Sequence, residues 1–233
     1  MRSSKTHSRH LTGQLTHTGP PSGYASNFLS HQFRNIPLPT TDYSGKTIIV
    51  TGSNYGLGLA AAQHFARLGA ATLILACRST EKAESAKRQI ESTLPDPVDP
   101  STIQVWPLDL CSFESVQEFC RRAETTLDRL DVVLANAAVL MTSFVAAVDA
   151  GGYESTVATN VVSTFLMAVM LLPKLRQTAV KYNTTPSLTF VVSDSHMWVS
   201  HQSFPLQRRT DERLHPHPRF AGPIPRALCT QYL

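Results

Sequence analysis

Long hydrophobic runs are missing from this chain. The longest nearly apolar stretch, Val161 to Leu172, has 12 residues and includes Ser163 and Thr164, whereas a bilayer span takes about 20, so no membrane span is expected. Cysteine is scarce as well. The four present, Cys77, Cys111, Cys120 and Cys229, form no CxxC pair and no His/Cys cluster at metal spacing. That pattern excludes a disulfide framework and a zinc module, and it points to a reducing compartment such as the cytoplasm. Charge is modest: a net +4 over 233 residues, with no tight basic tract interleaved with aromatics, does not favour nucleic acid as a partner. Repeats of solenoid period are absent. What remains, with 42% apolar residues, is the composition of a globular protein.

Residues 1–41 hold no Asp or Glu but contain Arg2, Lys5, Arg9, Arg34 and many Ser, Thr and His. They read as a flexible N-terminal arm. An acid-poor, Arg- and Ser-bearing start is also the composition of a mitochondrial targeting segment, although Gly19, Pro20, Pro21 and Gly23 interrupt any long amphipathic helix. From residue 42 to 198 apolar runs alternate with amphipathic stretches, as in βα units wound around a parallel sheet. The expected strands are Thr47–Val50, Ala71–Cys77, Ile103–Trp106, Val132–Ala135 and Leu188–Val192. Expected helices run from Leu57 to Leu68, along the stripe Ala83, Ala86, Ile90, Leu94, and from a Ser112 cap through Val116, Phe119, Cys120, Ala123 and Leu127. A further helix, Tyr153–Arg176, is apolar nearly all round in its middle. It needs burial by the sheet, by a second subunit in a homodimer, or by both. Residues 199–233 mix Pro205, Pro216, Pro218, Pro223 and Pro225 with five arginines and read as irregular.

The first strand leads into Thr51-Gly52-Ser53-Asn54-Tyr55-Gly56-Leu57-Gly58 and then a helix. Glycines there let the backbone turn and approach a pyrophosphate, while the free amides of the helix start supply donors and partial positive charge. Gly52, Ser53, Asn54, Gly56, Leu57 and Gly58 are therefore candidate phosphate-binding residues, against the plain alternative of a structural turn. Twenty residues past Gly58, at the end of the second strand, stands Arg78, where an NAD-selective domain places a carboxylate on the ribose. A guanidinium fork suits a 2′-phosphate instead, so NADP is the expected cofactor, with Lys82 as an additional cation. The alternative for both is a solvated surface position.

These motifs resemble the short-chain dehydrogenases/reductases, and the fungal members with a preceding arm in particular, over about Tyr43 to Trp198. The resemblance rests on TGSNYGLG at 51–58, Arg78, Asp109 in LDL, LANAA at 134–138, Asn160 in TNVVSTF and Ser193 in VVSDSH. It implies a Rossmann-type, doubly wound α/β fold and hydride transfer between NADP(H) and a small-molecule carbonyl or alcohol. It also implies that Asp109 accepts from the adenine amino group and that Asn136 steadies the cofactor-binding strands or touches the adenosine ribose. Asn160 would hold a proton-relay water and Ser193 would polarise the substrate oxygen. No metal site is implied.

One departure bears on activity. The family's acid/base is a tyrosine with a lysine four residues later, and no such pair follows Ser193; the only later tyrosine is Tyr232, the penultimate residue. By the resemblance, Tyr232 would take the tyrosine position if a long insertion follows the serine; the alternative is that the stretch after Trp198 has diverged from or replaced the usual continuation, with the C-terminal part of the usual fold missing or altered. Leu188–Val192 would then be an apolar edge strand open to pairing. Two readings follow: an NADP-dependent oxidoreductase of this family, or a non-catalytic dinucleotide-binding remnant or regulatory partner of an intact relative.

Overall fold

The computed structural model describes residues 37–193 except Thr142, together with Ser26, Leu29, Ser30 and Phe33. The expected arm, apart from residues 37–41 and those four positions, lies outside the described residues, as does the segment 199–233 with Tyr232. The chain divides into two units, and the one holding Leu38–Val192 carries every element below.

Its elements are β1 (Thr47–Thr51), α1 (Gly56–Arg67), β2 (Thr72–Cys77), α2 (Thr80–Ser92), β3 (Ile103–Pro107), α3 (Phe113–Thr126) and β4 (Val132–Ala135). A small antiparallel ribbon follows, β5 (Ala146–Ala147) with β6 (Tyr153–Glu154). The long helix α4 (Ser155–Tyr182) and the strand β7 (Ser187–Phe190) complete the described part. Among the described residues the main sheet has five parallel strands in the order β3-β2-β1-β4-β7.

Alternation along β1 explains the layers. Ile48 and Val50 point to one face, where they join Leu73, Leu75, Ala62 of α1 and Ile90 of α2. Ile49 points to the other, with Ile74, Val133, Val116 and Phe119 of α3, and Met167 and Leu171 of α4. Both faces of the strand are thus covered, which is why its run is continuously apolar instead of alternating. Each fully buried aliphatic side chain of this kind contributes about 1.5–3 kcal/mol. Strand order reverses between β1 and β4, and in such sheets the crevice for ligands opens at the carboxyl ends beside that reversal.

Two elements differ from the sequence expectation. The last strand is Ser187–Phe190, not Leu188–Val192, because its partner β4 has only four residues and pairs Val132 with Ser187 through Ala135 with Phe190. It is a sheet edge among the described residues, but Leu188 and Phe190 turn inward, Phe190 stacking on Phe165, while Ser187 and Thr189 face outward. The long helix starts at Ser155 and continues past Arg176 to Tyr182, where Asn183 in the left-handed region ends it. Pro173 lies within it. The carbonyl this proline leaves without its helical donor belongs to Val169, an exposed residue. Sheet contact buries Met167, Leu171 and Leu175, and Val161, Phe165 and Val169 on the same helix are exposed.

The lower end of the sheet is tied by Asp131, 3% exposed. It accepts from the Thr47 amide at 2.9 Å and from both arms of Arg129 at 2.7 and 2.5 Å. Removing the carboxylate strands a buried amide and an oriented guanidinium. Asp131→Ala is therefore expected to destabilise the chain by about 2–3 kcal/mol. Urea unfolding would read this as a lower midpoint at unchanged slope; a loss below about 0.5 kcal/mol, the range of ordinary surface changes, would contradict the role given to Asp131.

Candidate functional site

The turn after β1 is bolted to the turn after β4. Thr51 Oγ1 accepts from the amides of Asn136 and Ala137, each at 2.9 Å. In return the Asn136 side chain donates to the carbonyls of Thr51 and Gly52, at 3.0 and 3.3 Å. Gly58 sits where α1 crosses this junction: a Cβ there would fall 2.3 Å from the Gly52 carbonyl oxygen and 2.5 Å from Asn136 Nδ2. Gly56, with φ +57°, opens onto free space, with nothing within 4 Å of a built Cβ. One glycine permits packing and the other leaves room above the turn.

α1 starts differently from its neighbours. Ser79 caps α2 by accepting from the Lys82 amide, and Ser112 caps α3 by accepting from that of Ser115, each with an acid in the first turn. α1 has no side-chain cap and no acid in its first turn. Its leading amides are left for solvent or for an anion.

A cleft of about 400 Å³ lies over this start, lined by Gly52, Asn54, Gly56, Leu57, Gly58, Arg78, Lys82, Asp109 and Asn136. Nine of the ten candidate cofactor residues therefore meet in one place. The tenth, Ser53, is fully buried and lies beneath, its hydroxyl sharing a hydrogen bond of 3.4 Å with Cys77 Sγ. Burial pushes the Cys77 thiol up from its ordinary range. Arg78 and Lys82 are both exposed, at the end of β2 and in the first turn of α2. Asp109 lends one carboxylate oxygen to the Cys111 amide at 2.8 Å, and its own amide donates to Ser115 Oγ at 2.9 Å.

The catalytic candidates are not assembled in the same way. Asn160 does not line the cleft; it holds the backbone of Val139, which does, with Oδ1 accepting from the Val139 amide at 2.9 Å and Nδ2 donating to its carbonyl at 2.8 Å. Asn160 lies in a π-helical turn of α4, Ala158–Ser163, a local widening often found at functional sites. Ser193 is exposed beyond the end of β7 and belongs to the other unit. Tyr232 lies outside the described residues.

The structure adds residues that the motif reading passed over. Tyr55 lines the cleft with 72% exposure, beside Ser79, Cys111, Ser155 and Thr159. Thr51 and Tyr55 were visible as letters of the glycine motif itself. Ser155 and Thr159 were legible as an i, i+4 pair leading to Asn160, on the helix face that closes the cleft.

Residues 46–181 match the family described as short chain dehydrogenase. The chain is 44% identical over 185 residues to the short chain dehydrogenase/reductase dmxR8 of a Cryptosporiopsis species, covering 79% of this chain and 55% of that one. It is 41% identical over 199 residues to the short-chain dehydrogenase anuD of Penicillium roqueforti, covering 82% and 50%. Among solved structures, a short chain dehydrogenase of Shigella flexneri complexed with NADP aligns at 29% identity with a TM-score of 0.52, over 66% of this chain and 62% of that one. The chain spans about half the length of the curated relatives it matches.

Proposed function

The chain belongs to the short-chain dehydrogenase/reductase family, and from that premise we propose that its cleft binds NADP(H) and serves hydride transfer between that cofactor and a carbonyl or alcohol. The observation that carries the reading is the uncapped start of α1 beneath the open space at Gly56. A pyrophosphate there would take the unpaired amides and meet no side chain. Asn136 would keep the two turns at their present spacing. Asp109 would offer its second carboxylate oxygen to the adenine. When bound, the nicotinamide supplies the hydride donor or acceptor; the residues described here position it and do not themselves move the hydride.

Arg78 supports NADP over NAD. A charge-assisted contact from its guanidinium to a 2′-phosphate is worth on the order of 1.5–3 kcal/mol, roughly tenfold to a hundredfold in affinity. Calorimetric titration of the 233-residue chain with NADPH and NADH is expected to show that preference, and Arg78→Asp to remove or reverse it. Equal affinities in the unsubstituted chain would sink it.

A second reading is a dinucleotide-binding partner without turnover; residues 194–233 hold no tyrosine with a lysine four residues later. It shares the cofactor site and differs only in chemistry, so turnover separates the two.

A further inference from the structure

We propose that the substrate end of this cleft selects an uncharged, apolar ketone or alcohol and rejects acids and phosphate esters; the inference rests on the dinucleotide reading for which end of the cleft is which. Strand order places the carboxyl ends of β2, β1 and β4 side by side. Among the described residues lining the cleft, the charged ones are Arg78, Lys82 and Asp109, which follow β2 and β3. The opposite end, after β4, is of another character. No charged residue stands between Asp131 and Asp149. Val139 and Met141 of this run line the cleft, and Leu140 and Phe144 beside them are 82% and 74% exposed.

Large apolar side chains held in water are unfavourable unless something covers them, and Leu140 and Phe144, which do not themselves line the cleft, flank Val139 and Met141, which do. Here they ride on a fixed backbone. Asn160 grips Val139 by both its amide and its carbonyl. The Met141 amide donates to Thr156 Oγ1 at 3.3 Å, and that hydroxyl donates in turn to Glu154 at 2.9 Å. Ser155 donates to the Val145 carbonyl through both its amide and its hydroxyl, at 2.7 Å each. Val139, Met141 and Val145 are thus each fastened to the first turns of α4, so little ordering cost remains for a ligand that lies against them. A carboxylate or phosphate brought to the same surface would lose its water and find no cation among the described residues of the 132–148 run, which disfavours it strongly.

The test uses two ketones that share a phenyl ring, neutral butyrophenone and anionic benzoylpropionate, titrated into the full chain with and without NADPH. Butyrophenone is expected to bind at least about tenfold more tightly. In Leu140→Ser/Phe144→Ser, whose side chains make none of the fastening bonds, its affinity should fall about tenfold, with NADPH affinity and the circular dichroism spectrum unchanged. The proposal is overturned if benzoylpropionate binds as well as butyrophenone, if neither binds, or if the double variant binds butyrophenone as the parent does. Failure of NADPH to bind overturns the cofactor reading instead, and the cofactor-free titrations still decide the preference of the loop.

Discussion

Gly56→Val is expected to lose NADPH binding while keeping its fold, and Gly58→Val to lose both. The two glycines stand two residues apart in the same turn but serve different ends. At Gly56 a side chain would touch no protein atom, so folding has little against it beyond the backbone angle, φ +57°. A β-branched residue there relaxes away from the left-handed region. Binding must then restore the strained turn at about 1–3 kcal/mol, and the isopropyl group also fills the space proposed for the pyrophosphate. Together these predict a loss of at least about a hundredfold, the equivalent of 2.8 kcal/mol. At Gly58 the obstacle is the protein itself, because a Cβ 2.3 Å from the Gly52 carbonyl oxygen forces α1 off the turn. Its apolar face, with Ala62 at the centre, then loses its seat on β1 and β2. Fluorescence enhancement of NADPH and thermal melts read by circular dichroism separate the two effects. Normal NADPH binding by Gly56→Val would show that the glycine turn is not the phosphate site.

What the sequence made legible follows from which forces act locally. β1, β2 and β4 announced themselves because a strand covered on both faces must be apolar at every position, and α2 and α3 because Ile90 and Phe119 recur at helical spacing around polar residues. The glycine motif was readable for the same reason: its requirements on φ and on close approach are met within eight residues. Features set by distant partners were not. The end of β7 at Phe190 depends on the length of β4, more than fifty residues earlier. The passage of α4 through Pro173 depends on the exposure of Val169. The π-helical turn around Asn160, with Ser163 buried within it, leaves no trace in periodicity. The same division runs through the site. Residues that meet through consecutive strand ends could be named from order alone, whereas the roles of Asn160, Thr156 and Ser155 as fasteners of the 139–145 segment required the fold.

Turnover is where the largest shortfall is expected. Followed by NADPH absorbance over a panel of aldehydes, ketones and quinones, a protein of these 233 residues should run about 10²–10⁴-fold below a family member that carries the tyrosine and lysine, the factor that general acid/base catalysis supplies. Hydride transfer to a carbonyl leaves an alkoxide that needs a proton, so a titrating group must stand at that oxygen. Asn160 does not titrate, and its amide is engaged with Val139. Burial pushes the Cys77 thiol up and so keeps it protonated. Tyr55 also lines the cleft, on the glycine turn after β1 and not on the apolar segment after β4 where the substrate is proposed to lie. Measuring Tyr232→Phe and Tyr55→Phe beside the parent chain tests each. Robust parental turnover abolished by Tyr232→Phe would make that residue the proton donor and overturn the expectation, and turnover abolished by Tyr55→Phe would move the substrate to the other end of the cleft.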